Sequence, residues 1–232
     1  MIVYKISTHL NSEEQSIGVE KIEPVWGDSL SAKEYYSHSA PRTRVGLQIL
    51  KPGELGCTLS HLKILRRISE SGIPGLIIES DIDIDRGKVA KIEEYIKSYP
   101  QTEFLHCARY NSEDFRCWKL KDGRRIVDTS YRFWGTCAYY SSVKTALALI
   151  AFHERHGPGL ADDWHRFFAE SSIVPFYHAF FEHPDGDSTI ERKSIPRSYS
   201  VSVRQLSKNR ASTRLNFAYR KLVRTLKYGF PK

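Results

Sequence analysis

Four carboxylates stand at alternate positions, Glu79, Asp81, Asp83 and Asp85, directly after the apolar run Gly75-Leu76-Ile77-Ile78. Side chains two apart share a face of an extended chain, so this spacing would let several oxygens converge on one divalent cation. Hard oxygen donors suit Mg²⁺ or Mn²⁺, and a cation held there could neutralise a departing diphosphate. The same residues also read as a solvated acidic loop at a strand end, because D-x-D patterns are short and recur by chance. A second acidic pair, Asp162-Asp163, follows the helix breaker Gly157-Pro158-Gly159. One of the two could take the proton of an attacking hydroxyl, whereas acids at the start of a helix are also favoured for capping and for the dipole. His61 could touch a ligand or bond within the domain. His183 reads as a surface histidine beside Pro184. Trp134 and Tyr139 suit stacking on a flat ligand and equally suit a core.

The elements that must position these groups follow from periodicity. Residues 2–6 read as a buried strand, and a second strand falls within Gly18 to Pro24. After the turn Lys51-Pro52-Gly53, apolar residues at 55, 59, 62, 65 and 68 predict a helix over 54–69. Ser71-Gly72-Ile73-Pro74 ends it and the strand 75–78 follows. Further along, the pattern predicts a helix over 89–99, a strand over 103–108, and a hairpin or long loop over 111–128 that turns at Asp122-Gly123. A strand over 135–141, helices over 143–154 and 161–171, and a β-prone run over 173–181 complete the pattern. Turn, helix, turn, buried strand and acidic cluster is the order of an α/β sheet whose strand ends at a site.

The 232 residues suffice for one domain with a buried core, or for one domain plus a tail. The net charge of +8 calls for an anionic partner. Residues 191–232 hold twelve basic residues against Glu191 alone, a net of +11, which leaves −3 for residues 1–190. Within the tail, Leu215, Ala218, Tyr219, Leu222 and Leu226 recur at helical spacing among Arg214, Arg220, Lys221, Arg224 and Lys227. That is a basic amphipathic helix, suited to an anionic bilayer or to packing on the domain. The four cysteines are scattered and form no CxxC pair, so they suggest neither a zinc knuckle nor a disulfide framework, and a reducing cytoplasm is the simpler reading. The first seven residues read as a strand broken by Lys5 rather than a signal peptide, and no run reaches the length of a transmembrane helix.

The segment Leu50-Lys51-Pro52-Gly53-Glu54-Leu55-Gly56-Cys57-Thr58-Leu59-Ser60-His61, followed eighteen residues after His61 by Glu79-Ser80-Asp81, resembles the signature of glycosyltransferase family 25. These are the lipooligosaccharide galactosyltransferases of Gram-negative bacteria and their relatives. Gly135-Thr136-Cys137-Ala138-Tyr139-Tyr140 is similar to the family's G-T-x-x-Y strand, Asp162-Asp163 to its acidic pair, and Asp187-Ser188-Thr189-Ile190 to its closing S-x-I element.

The resemblance implies an α/β domain of the GT-A type with a mixed central sheet over 1–190, followed by the basic helical tail 191–232. It also implies transfer of a hexose, usually galactose from UDP-galactose, to an oligosaccharide acceptor with inversion. Carried onto this sequence, it gives donor contacts at Glu54, Ser60, His61, Glu79, Gly135 and Thr136. It gives Mn²⁺ or Mg²⁺ ligands at Asp81, Asp83 and His183, and a base or acceptor-holding carboxylate at Asp162 or Asp163. Ser80 departs from the family's Glu-Asp-Asp, so E-x-D replaces D-x-D. A weaker metal site, a changed donor or a relative that only binds or scaffolds would each account for that change. A nucleic-acid binder using the tail is the remaining class; the acidic body and the absence of a nucleic-acid motif count against it, and no nucleic-acid partner is expected. The expected place is the cytoplasmic face of the inner membrane, with the tail on anionic lipid and the nucleotide sugar and lipid-linked acceptor as partners.

Overall fold

A computed structural model describes residues 1–44, 47–109, 115–129 and 133–182, together with Tyr219, Leu222, Val223, Thr225 and Leu226. The expected boundary near 190 and the closing S-x-I element lie outside those residues. The described part is a mixed α/β fold with eight strands in one sheet.

Strands β1 (Ile2–Ile6), β2 (Glu20–Ile22) and β3 (Gly75–Glu79) form a parallel trio with β1 in the middle. Strand β7 (Ala138–Ser141) runs antiparallel between β3 and β4 (Phe104–Arg109). Strand β8 (Pro175–Glu182) is parallel to β4, and the hairpin of β5 (Cys117–Lys119) and β6 (Arg125–Val127) closes the sheet, with Gly123 at φ 86° in its turn. The spatial order is β2-β1-β3-β7-β4-β8-β6-β5. Because β7 alone reverses direction among these inner strands, its N-terminal end lies at the same sheet edge as the C-terminal ends of β1, β3 and β4. That edge is where an open α/β sheet binds ligands.

Helix α3 (Pro52–Ser71) covers one face with Leu62, Ile64, Leu65 and Ile68, joined by α5 (Val143–His156) and α6 (Trp164–Glu170). Helix α4 (Arg86–Ser98) covers the other with Ile92, above Leu76, Ile78 and Tyr140. Leu76, Ile77 and Ile78 have no exposed surface, as a strand sandwiched between helices requires; each such side chain contributes about 1.5–3 kcal/mol of burial. Helix α3 starts with Pro52 in its first turn and ends at Gly72 in the left-handed region (φ 67°), where a side chain would be strained.

Among the boundaries that differ from the sequence reading, two bear on the site. Helix α6 begins at Trp164, so Asp162 and Asp163 precede it rather than occupying its first turn, and the Asp163 side chain makes no capping bond. Strand β7 begins at Ala138, and Gly135, at φ 90°, leads into it as a loop. The stretch from Pro24 to Lys51, to which periodicity assigns no element, holds α2 (Ala32–Arg44), and a short helix α1 (Ser12–Ser16) follows β1. Helix α2 buries only Ser39 and Arg42 and contains Pro41, so it carries no apolar stripe to read.

Candidate active site

The motif on α3 serves two faces. On one, Gly56 lies so close to the chain at 25–27 that a Cβ would fall 2.3 Å from the Val25 carbonyl oxygen. One turn on, the Ser60 hydroxyl accepts from the Val25 N–H (2.8 Å) and donates to the Gly56 carbonyl (2.8 Å). Glu54 accepts from the Lys51 N–H (2.7 Å), closing the first turn of its own helix. Glu54 Oε2 and the Ser60 hydroxyl, both expected at the donor, thus make hydrogen bonds within the fold.

The other face carries Cys57 and His61, one helical turn apart. Glu79 shares strand parity with Ile77, so its side chain stands on the α3 side of the sheet. There its Oε1 lies 3.1 Å from His61 Nε2 and accepts from the Thr136 hydroxyl. His61 is buried, and its Nδ1 lies 3.0 Å from the hydroxyl of the buried Tyr139. One ligand atom from each of Cys57, His61 and Glu79 lies within 4.8 Å of the others. Burial, then the charges of Glu79 and Asp162, push the Cys57 thiol well above its ordinary pKa.

Gly135 links this cluster to Asp162. Its carbonyl accepts from Trp164 Nε1 (2.8 Å) and from His106 Nε2 (3.0 Å), and its N–H donates to Asp162 Oδ2 (3.4 Å). His106 is fully buried, which pushes its pKa down to about 4. The loop bearing the acidic pair is pinned from below: Arg42 Nη1 donates to the Pro158 carbonyl (3.2 Å), and the Thr58 hydroxyl to that of Gly159 (2.6 Å). Burial raises the Asp162 carboxyl above the usual carboxylate range; the Gly135 N–H opposes this and the Glu79 charge adds to it. Burial pushes Asp163 up to about 6 against the pull of Arg166 and Arg42. Asp162 is thus bonded to Gly135 within electrostatic reach of Glu79 and His61, while Asp163 is within reach of Arg166 and Arg42.

The remaining carboxylates diverge. A turn at Ser80-Asp81 breaks the strand, after which Ile82 and Ile84 are buried and Asp81 and Asp83 exposed. Buried Lys5, ion-paired with Glu14, donates to the Ile82 carbonyl (3.0 Å) and pins this loop to β1. Asp85 accepts from the Lys88 N–H (2.8 Å) as the N-cap of α4, which withdraws it from any shared ligand set. Asp81 and Asp83 thus offer outward oxygens of the type that Mn²⁺ or Mg²⁺ takes, at the sheet's ligand-binding edge. His183 lies outside the described residues. Trp134, beside Gly135, is 43% exposed, and Tyr139 belongs to the core.

Of the residues singled out in the sequence, His61, Glu79, Thr136, Gly135 and Asp162 are joined by hydrogen bonds around the ends of β3 and β7. Sequence reasoning passes over Cys57, for which the four-residue spacing to His61 was the available signal, and His106, Trp164 and Arg42, for which there was none.

Residues 7–163 match the family model described as "Glycosyltransferase family 25 (LPS biosynthesis protein)", which covers more than half of the chain. The chain belongs to glycosyltransferase family 25. A curated relative from Drosophila pseudoobscura pseudoobscura, named "Glycosyltransferase 25 family member", is 30% identical over 104 residues, which are 43% of this chain and 16% of that protein. The matched stretch thus spans about a sixth of that relative's length.

Proposed function

We propose that this chain transfers a hexose, galactose from UDP-galactose, to an oligosaccharide acceptor of lipopolysaccharide or lipooligosaccharide type, in a GT-A-like domain and with inversion. The observation that carries the reading is the convergence of Asp162, Gly135, Thr136 and Glu79 at the edge where β3 ends and β7 begins. It is supported by membership of a family whose description names LPS biosynthesis.

Asp162 takes the proton of the acceptor hydroxyl as its oxygen attacks the anomeric carbon. The bond from that carbon to the diphosphate oxygen breaks, and UDP leaves with the electron pair. A carboxyl raised by burial is the better base for this step. Asp163, among arginines, holds the loop. Asp81 and Asp83, with His183, are the residues that would hold Mn²⁺ or Mg²⁺, a cation whose charge would offset that of the leaving diphosphate. Gly135 and Thr136 line the donor side with exposed Trp134 beside them as a stacking surface.

The tail brings the enzyme to its acceptor at the cytoplasmic face of the inner membrane. No helix among the described residues is long and apolar enough to cross a membrane. Tyr219, Leu222 and Leu226 of the expected stripe are helical and 68%, 56% and 78% exposed, leaving apolar surface for lipid.

The test is turnover of a UDP-hexose panel with Mn²⁺ and an oligosaccharide acceptor. UDP-galactose is consumed, Asp162→Asn lowers the rate about 100-fold or more with its melting temperature retained, and Asp163→Asn keeps most of the rate. Binding without turnover for any UDP-hexose would favour the scaffold reading instead.

A further inference from the structure

We infer that Cys57, His61 and Glu79 form a zinc site that fastens α3 to the end of β3. Cys57 and His61 lie four apart on α3, so both side chains leave the same face. Strand parity brings Glu79 to meet them, and their ligand atoms lie within 4.8 Å of one another. Thiolate, imidazole and carboxylate are the donor types Zn²⁺ prefers, and three protein ligands leave a fourth tetrahedral position for water. The surroundings are those of a ligand set. His61 Nδ1 faces the Tyr139 hydroxyl at 3.0 Å, which orients the ring and turns Nε2 toward Glu79, 3.1 Å away, where a metal would sit between them, and the Thr136 hydroxyl holds the Glu79 carboxylate. Binding replaces the His61 Nε2–Glu79 hydrogen bond: the imidazole proton passes from Nε2 to Nδ1, where it faces the Tyr139 oxygen, and the Cys57 thiol proton leaves to solvent.

The site differs in kind from Asp81 and Asp83, which offer oxygen alone, and it does not depend on which sugar is transferred. The metal fixes Glu79, and through Thr136 it holds the Gly135 loop.

The experiment uses the full chain, stripped with a chelator and titrated with Co²⁺ and then Zn²⁺. Co²⁺ gives a near-ultraviolet thiolate-to-metal charge-transfer band and visible bands of tetrahedral intensity, saturating at about one equivalent and displaced by Zn²⁺. Excess Zn²⁺ raises the melting temperature by about 5–10 °C. Cys57→Ser, nearly isosteric, abolishes the band and the Zn²⁺ shift while its metal-free melt stays close to that of the parent. His61→Gln removes both as well. Cobalt bound without a thiolate band, or a Zn²⁺ shift retained in Cys57→Ser, overturns the assignment. Mn²⁺ leaves the melt of Asp81→Ala unshifted while Zn²⁺ still shifts it, so failure of the transferase reading leaves this result readable.

Discussion

Glu79 and Asp81 are two residues apart in sequence and end in opposite surroundings. Glu79 still belongs to β3, faces α3, and joins His61 and Thr136 in a mostly buried network. Asp81 sits in the turn that ends the strand, exposed to solvent, with Asp83 exposed beyond it and Asp85 engaged as a helix cap. An alternation that looks uniform in sequence is divided by one turn into a carboxylate that holds the fold and carboxylates that meet water. A buried charged acceptor is costly to remove because its donors are left unpaired, whereas an exposed one is not.

Several substitutions would break or sharpen this contrast. Asp81→Ala is expected to have the largest effect on function, lowering the Mn²⁺-dependent transfer rate about 100-fold while the melting temperature moves by less than about 2 °C. A large drop in melting temperature would show instead that Asp81 belongs to the fold. Glu79→Ala should act on the fold as well as the site and destabilise by about 1.5–3 kcal/mol, read as a melting temperature lower by about 4–8 °C. If that melt were unchanged, the network would be worth nothing. Lys5→Met, with Glu14 left in place, leaves a buried carboxylate without its cation. Denaturant unfolding is expected to show a loss of about 3 kcal/mol or more.

The smallest expected effect compares the acidic pair. Asp163 has a folded pKa of about 6 against an ordinary 3.8. Between those values the folded chain keeps a proton that the unfolded chain has released, so its contribution to stability falls as pH rises through that window. His106 and His153, pushed down to about 4 from 6.5 by burial, act oppositely and cost stability as pH falls from 6.5 toward 4. Asp163→Asn removes the opposing contribution. Its melting temperature relative to the parent should therefore rise from pH 4 to pH 7, and a flat difference would show that Asp163 titrates normally.

Much of the frame was legible because its signals are local. Apolar spacing reveals α3, the run 75–78 reveals a strand buried on both faces, and Asp122-Gly123 reveals the β5–β6 hairpin. Helix α2 was not legible, since it is polar and held through Arg42, whose guanidinium donates to the Gln48 and Pro158 carbonyls. The start of α6 was misplaced because Asp162 and Asp163 look like first-turn acids, yet the pinned loop 157–159 places them before the helix.

By itself the sequence determined the chemistry on offer: a helix with Cys57 and His61 on one face, a buried strand ending in carboxylates, and an acidic pair after a helix breaker. Tertiary structure decided which of these groups meet. The antiparallel insertion of β7 brings Thr136 to Glu79 across 57 residues, and the pinned loop brings Asp162 to Gly135 across 27. Periodicity reports the face a residue occupies on its own element. Which element lies opposite depends on strand order and direction, and those are fixed only when the sheet closes.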